Sequence, residues 1–376
     1  LSAHSSRQRP YMQRLDRWIA FLGLILISAA SLSAQTRVRR YDVTKETDYG
    51  IVYRLPQTEI EVVLTVRELI YTPGVLASYA DRYLNKKASE TPAHTYELLS
   101  SELHTIGRPD SAHQYLVVFD KKTIAPFVKL TDTGILYSIN GGEELPKSLS
   151  TARPATQLLS QKSSDTALPT LAREYAQAGS KAKQAEIAAG YLYDLRENLM
   201  NIVTGSVDNM PKDGESMRLA LDQLRTEERR TQRLFLGDTT ERVTQYVLHY
   251  TPSGQELKDY VLARFSPVAG LTSADDLSGA PIRLSLRILE HAPELSDREQ
   301  KKKDKMLENS IVYIQPGEAL VSISYEGKTL TEGKLRLAQL GAPQALAPKM
   351  LNLNPSSTTS IYFDIRSGAV LDIRQE

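Results

Sequence analysis

The clearest pattern in the first third of the chain is an alternation in which Ile60, Val62, Leu64 and Val66 are interleaved with Glu59, Glu61, Thr65 and Arg67. A period of two places one side of a strand on a core and the other in water. Pro73 and Gly74 stop that strand, and Leu76, Tyr79, Ala80, Tyr83 and Leu84 then recur at the three-and-four spacing of a short amphipathic helix. Further strands are expected at 96–106, 115–119 and 135–139, with turn residues at Pro109-Asp110, Thr133-Gly134 and Asn140-Gly141. The last third returns to the same period. Ile282, Leu284, Leu286 and Ile288 alternate, as do Val321, Ile323 and Tyr325, and later Ile361, Phe363 and Ile365, with breaks at Glu326-Gly327 and Ser367-Gly368. A second short helix is expected over Leu257, Tyr260, Val261, Arg264 and Phe265, ended by Pro267.

Between these stretches the period changes. Residues 145–165 are rich in Ser, Thr, Pro and Gln without apolar periodicity, the composition of a surface linker. Ile187, Tyr191, Leu195, Leu199 and Ile202 then mark one face of a helix that ends before Gly205. Asp213 is placed to cap a second helix with Met217, Leu221, Leu224 and Phe235 inward, closed by Gly237. The short connection predicts an antiparallel pair. The pattern as a whole predicts an α+β fold: two β-rich, sandwich-like blocks over 35–150 and 238–376, separated by a linker and antiparallel helical hairpin over 151–237. Two faint echoes link the outer blocks. Ile51-Val-Tyr53 with Pro56 matches Ile311-Val-Tyr313 with Pro316, and Tyr71-Thr-Pro73 matches Tyr250-Thr-Pro252.

Residues 1–34 stand outside this fold. From Met12 the chain has a basic start with Arg14 and Arg17, an apolar run from Trp18 to Ala30, and small residues ending at Ala34, the three parts of a secretory signal. Gln35 becomes the mature N-terminus. The apolar run is shorter than the ~20 residues that a membrane span takes, so no transmembrane segment is expected in the mature chain. An exported protein with no cysteine has neither a disulfide framework nor a thiolate site, so its stability must come from burial. Lys and Arg total 46 against 45 Asp and Glu, a balance that argues against a generic nucleic-acid binder.

Several short runs carry a family resemblance: Ile51-Val-Tyr-Arg-Leu-Pro56, Tyr71-Thr-Pro-Gly74 to Tyr83, Leu234-Phe-Leu-Gly237, Phe265-Ser266 with Gly270, Gly279-Ala-Pro281, Ile311 to Gly317, and Ala338-Gln-Leu-Gly341. In order and spacing they resemble an uncharacterised family of exported Bacteroidota envelope proteins known only as a domain of unknown function. The resemblance implies a Gram-negative envelope location and assigns no catalytic residue. Independently of it, Pro, Gly and aromatic residues at these positions suit turns and core.

Candidate chemistry is sparse. The Gly-x-Ser-x-Gly, His-Glu-x-x-His and Gly-x-x-x-x-Gly-Lys patterns are absent. His94, His104, His113 and His249 lack the paired spacing of metal ligands, and no cofactor is expected. Asp275 and Asp276 sit in a Ser-, Thr- and Gly-containing loop where capping of a turn outranks acid–base work. Arg225, Arg229 and Arg233 repeat every four residues along the second long helix, a cationic stripe that could meet an acidic partner, interrupted by Glu227 and Glu228. Lys301, Lys302, Lys303 and Lys305 lie in a charged segment expected to be a mobile loop. The chain end Ile373-Arg-Gln-Glu376 and the helical insertion argue against a membrane barrel. The expectation is a non-enzymatic interaction or scaffolding protein of the periplasm or the periplasmic face of the outer membrane, its partner another envelope protein. A glycan- or lipid-binding module comes second, suggested by 19 tyrosines against one tryptophan, and a hydrolase third.

Overall fold

The structure, a computed structural model, describes residues 37–40, 50–118, 128–143, 153–162, 167–171, 173–206, 214–308, 310–346 and 359–375. The signal segment and the Asp213 cap lie outside the described residues. In chain order the elements of the first half are β1 (Arg37–Arg40), β2 (Gly50–Thr72), a 3-10 turn (Ala77–Tyr79) leading into α1 (Ala80–Leu84), β3 (Ala93–Val118), β4 (Val128–Leu130), β5 (Leu136–Ile139) and β6 (Thr156–Lys162). The helices α2 (Arg173–Gln177), α3 (Lys181–Thr204) and α4 (Gly214–Leu236) follow. The second half holds β7 (Asp238–Tyr250), β8 (Leu257–Ser266), β9 (Gly270–Thr272), β10 (Ala280–Glu290), α5 (Asp297–Leu307), β11 (Ile311–Tyr325), β12 (Lys328–Leu346), β13 (Thr359–Phe363) and β14 (Val370–Gln375). The fold is α+β. No described helix is long and apolar enough to cross a membrane.

Three antiparallel sheets form, ordered β1-β3-β2-β7-β6, β12-β11-β10-β8-β9 and β14-β13-β5-β4. Their membership crosses the boundaries read from the sequence, because β7 pairs with β2 from Ile60↔Tyr250 to Thr72↔Asp238, and β13 pairs with β5. The cores cross them too. Ile60, Val62, Leu64 and Val66 of the first sheet share one apolar cluster with Ile282, Leu284, Leu286, Val321 and Ile323 of the second. All nine are at least 97 % buried, and burying each contributes roughly 1.5–3 kcal/mol over leaving it in water. A register shift between Arg54 and Pro56 exchanges the faces of β2, so Tyr53 and Leu55 enter a different cluster, with Ile311, Val312, Ile361 and Phe363. One long strand thus supplies two cores, and neither block read from the sequence closes a core alone.

Two polar clamps fix this arrangement. The Tyr53 hydroxyl donates to the Val312 carbonyl at 3.1 Å and accepts from the Val312 amide at 2.8 Å, so the two echoed motifs meet each other directly. Thr58 accepts at its hydroxyl from the Ala338 amide (2.9 Å) and donates from it to the Arg366 carbonyl (2.8 Å). Its own amide donates to Gln339 Oε1 at 3.2 Å, and its carbonyl accepts from Gln339 Nε2 at 2.7 Å. Directly opposite in β3 stands Gly107, where an added Cβ would lie 1.9 Å from the Ile365 carbonyl oxygen.

Several expectations need correction. Residues 257–266 form strand β8, not a helix: Asp259 adopts a left-handed φ of 54° within it, and register shifts against β10 break the period of two into a spacing that imitates a helix. The lysine run is not a loop but part of α5, which starts with a capping box in which Glu299 binds the Ser296 amide at 3.0 Å. The linker contains β6, an exposed edge strand held to β7. Pro109 and Asp110 do not end a strand. Arg54 pairs with Gln114 and Pro56 with Pro109, so the turn residues survive as an outward bulge inside one continuous β3. On α3 the buried face is Ala185, Ala188, Ala189, Leu192 and Leu195, whereas Ile187, Tyr191, Leu199 and Ile202 are only half-buried.

Tyr53→Phe keeps the ring but leaves the buried Val312 amide and carbonyl without that hydroxyl. Urea denaturation should show a loss of about 1–3 kcal/mol, and an unchanged midpoint would show that the clamp contributes nothing.

Candidate functional site

A cleft opens beside α5, between the end of the first sheet and the outer strand of the second. Its volume is about 640 Å³, and its walls come from Arg40, His113 and Tyr115 on one side, Gln300, Lys303, Asp304 and Leu307 of α5 on another, and Gly341 to Pro343 of β12 on the floor, with Pro293, Glu294, Leu295 and Glu308 at the rim. A second hollow of about 320 Å³ adjoins it along the neighbouring stripe of α5, reached by Glu299, Lys302 and Met306. The helix stands over the floor with no buried residue of its own.

Local chemistry explains the polar wall. Arg40 donates to the Ala112 carbonyl at 3.0 Å, which aligns β1 beside the β3 bulge. In that bulge Asp110 accepts from the Ala112 amide at 2.8 Å and lies 2.7 Å from His113 Nδ1. Partial burial pushes the Asp110 carboxyl up, but the bonds from His113 and Ala112 outweigh it and hold the group below the usual carboxylate range. Burial pushes the Tyr115 phenol up, so Tyr115 stays neutral. The site offers charges, hydrogen bonds and the apolar surfaces of Tyr115, Leu307 and Pro343.

The residues singled out from sequence do not converge there. Arg225 and Arg229 are exposed on α4, Arg229 donating to Thr226 Oγ1 at 3.1 Å. Arg233 is spoken for by Asp238 at 3.1 Å and the Ala167 carbonyl at 3.3 Å, so the stripe shrinks to its first two members. Glu227, read as an interruption of the stripe, is buried instead: it accepts from the Thr170 amide at 2.8 Å and from Arg230 at 2.8 Å, and so ties the segment before α2 to α4. Glu61, expected in water, is 2 % exposed and faces His104 and His249 in register across three strands. His249 lies 3.7 Å from Glu59, His104 3.1 Å from Glu102 and His94 2.8 Å from Glu68. Among the described residues no group of three or more His, Asp or Glu side chains is placed to hold a metal. Asp276 accepts from the Ser278 amide at 2.9 Å, which lowers its pKa and identifies it as a turn cap. Burial of Glu61 and Glu227 had no signal in the local sequence, since both occupy positions that the periodicity assigns to solvent.

The Gly and aromatic motifs find one another in space. Tyr71 donates to the Leu236 carbonyl at 3.0 Å, the Leu76 amide to the Leu234 carbonyl at 2.8 Å, and an added Cβ on Gly74 would lie 2.3 Å from that same oxygen. Gly279 backs onto the Phe265 backbone and Gly341 onto Gln315 and Pro316 in the same way. These residues are joints.

Glu227→Ala strips a carboxylate from Arg230 and from the Thr170 amide, and should cost about 1.5–3 kcal/mol. Proteolysis should then cut first in the segment around Thr170. A variant as stable and protease-resistant as the wild type would remove Glu227 from this role.

No curated protein and no solved structure matches the chain. A family model described as domain of unknown function DUF4831 matches residues 49–371, a span that includes every one of these joints, and the chain belongs to that family.

Proposed function

We propose that this is a non-enzymatic interaction or scaffolding component of the Gram-negative envelope in Bacteroidota, exported through the segment 12–34 and working in the periplasm or on the periplasmic face of the outer membrane. In this reading the layers built around Ile60 and Ile282 act as a rigid sandwich-like body. The helices α3 and α4 act as a hairpin that projects from it. That reading is supported by contacts that join the start of α3 to the end of α4, Ala185 and Ala188 with Leu234 and Phe235, while Arg196 holds Glu228 further along at 2.8 Å.

The observation that carries the proposal is the exposed end of this pair. Met200 and Val203 in the last turns of α3 are 62 % and 68 % exposed, Leu219 in the first turns of α4 is 60 % exposed, and Arg225 and Arg229 stand exposed on α4. Apolar side chains edged by arginine are the composition of a protein-docking surface. A ligand-binding module is the second reading, favoured by the volume of the cleft beside α5.

Crosslinking in intact cells tests the first reading. Arg225→Glu with Arg229→Glu should abolish capture of the envelope partner while leaving the melting curve unmoved, since exposed helix positions change stability by only about 0.5 kcal/mol each. Undiminished capture by the folded double variant would return both arginines to the solvated face. Arg233 is left intact in that variant because it pairs with Asp238.

Export has its own check. The intact mass of protein purified from cells should correspond to a chain starting at Gln35, and retention of Trp18 to Ala34 would overturn the signal-peptide reading.

A further inference from the structure

We infer that the exposed end of the helix pair binds a second copy of this chain, the two pairs stacking face to face about a twofold axis that runs along them. The inference rests on the helix-pair reading and names the partner at that surface.

The geometry starts from one bond. Arg196 of α3 and Glu228 of α4 meet at 2.8 Å, so both side chains point into the gap between the helices. Each further residue turns by about 100°, and in an antiparallel pair a step on along either helix turns toward the same face. Glu197 and Arg229, one step on, therefore share a face. Arg225, three steps back, and Met200, four steps on, turn toward it by roughly 60° and 40°. All four residues are exposed. Tyr193 falls on this side as well, but its hydroxyl donates to the Tyr83 carbonyl at 2.7 Å, so α1 covers the base of the face and leaves the rest open. Arg218, nearer the free end of α4, is held by Glu215 at 2.6 Å and Asp222 at 3.4 Å.

The fold leaves the other charges of this face open. Among the described residues the side chains of Glu197 and Arg225 have no hydrogen-bond or ion-pair partner, and Arg229 reaches only Thr226 Oγ1, at 3.1 Å. Their heights match. One residue on along α3 is one residue back along α4, so Glu197 stands level with Glu227, midway between Arg225 and Arg229. A twofold axis along the pair sets α3 of one copy over α4 of the other without changing height. It thus lays each Glu197 between the other copy's Arg225 and Arg229, twice over, and brings the two Met200 side chains together at the centre. An apolar centre edged by charge pairs is the anatomy of a protein interface. Reciprocity selects a copy of this chain: an unrelated partner has to present a carboxylate and two cations at matching heights independently, whereas a copy presents them by symmetry. Exposed ion pairs are individually weak and screened by salt, so the dimer depends on concentration and loosens as salt rises.

Sedimentation velocity of the mature chain over a concentration series tests this. Arg225→Glu with Arg229→Glu should weaken self-association about tenfold or more, and so should Glu197→Arg alone. All three changes together should bring it back toward the wild type, because the charges are exchanged and the pairing is kept. Melting curves control for the fold. The absence of cysteine supplies a second measurement that does not need the charge variants. Met200→Cys should give a disulfide-linked dimer on mild oxidation, whereas Gln223→Cys, exposed on the opposite side of α4, should not. The inference is overturned if the wild type stays monomeric throughout the series, if the folded exchange variant fails to regain association, or if the two cysteine variants crosslink alike. It is overturned with the helix-pair surface left standing if crosslinking in cells captures a different protein through Arg225 and Arg229 while the chain stays monomeric. Neither self-association nor capture that depends on these arginines removes both readings together.

Discussion

Where β2 crosses from one core to the next, two of its side chains replace backbone, and the relative placement of all three sheets rests on them. Tyr53 and Thr58 flank the register shift at Arg54 and Pro56. Tyr53 holds both backbone groups of Val312, and Thr58 reaches β12 and the turn before β14 from one hydroxyl. A buried amide or carbonyl left without a partner costs about 1–3 kcal/mol, so a joint where strands stop pairing is affordable only if side chains complete the hydrogen bonding. Burial also keeps the Tyr53 phenol firmly protonated by raising its pKa. Its hydroxyl therefore remains a donor and an acceptor at once, as the Val312 contact requires.

Close approach is the second constraint, and it follows from the first. For Thr58 to reach the Arg366 carbonyl, the turn at 365–366 must lie against β3, and it does so over Gly107, where any side chain would strike the Ile365 carbonyl. Gly368, at a φ of 77°, turns the chain back so that its carbonyl accepts from the Ile314 amide at 3.0 Å. The third sheet is thereby hung on the first and second through backbone contacts that only small residues permit. Residues that look scattered in the sequence are the two halves of such long-range contacts: Tyr53 and Val312 are 259 positions apart, and Thr58 and Arg366 are 308 apart.

How far the sequence discloses this depends on the range of the interaction. The alternations at Ile60 to Val66 and Ile282 to Ile288 are local signals and they mark real strands whose inward faces meet. The pairing of β2 with β7 is invisible locally, because nothing in Asp238–Tyr250 distinguishes a strand of its own block from one that returns to the first sheet. Leu257 to Phe265 misleads for a different reason: Asp259 in the left-handed region inserts one residue, and the apolar spacing of a bulged strand then falls on the helical period. The capping box at Ser296 and Glu299 was legible and marks α5 correctly once weighed above the lysine run. As for the candidate site, the Arg225 and Arg229 exposure could be read from the helix period, but the cleft could not, since its walls come from residues 40, 113, 303 and 342.

The uneven distribution of order between joint and cleft bears on function. A chain without cysteine has no disulfide staple, so its rigidity must come from burial and hydrogen bonding. At the β2 joint both clamping residues, Tyr53 and Thr58, are fully buried. Among the described segments with little burial are α5, where Leu307 alone packs against a core, and the ends of α3 and α4 at Met200, Val203 and Leu219. Segments of low local stability are the ones from which binding elements are drawn. The buried clamps at Tyr53 and Thr58 share no residue with these exposed segments, so an occupant of the latter would leave the former intact.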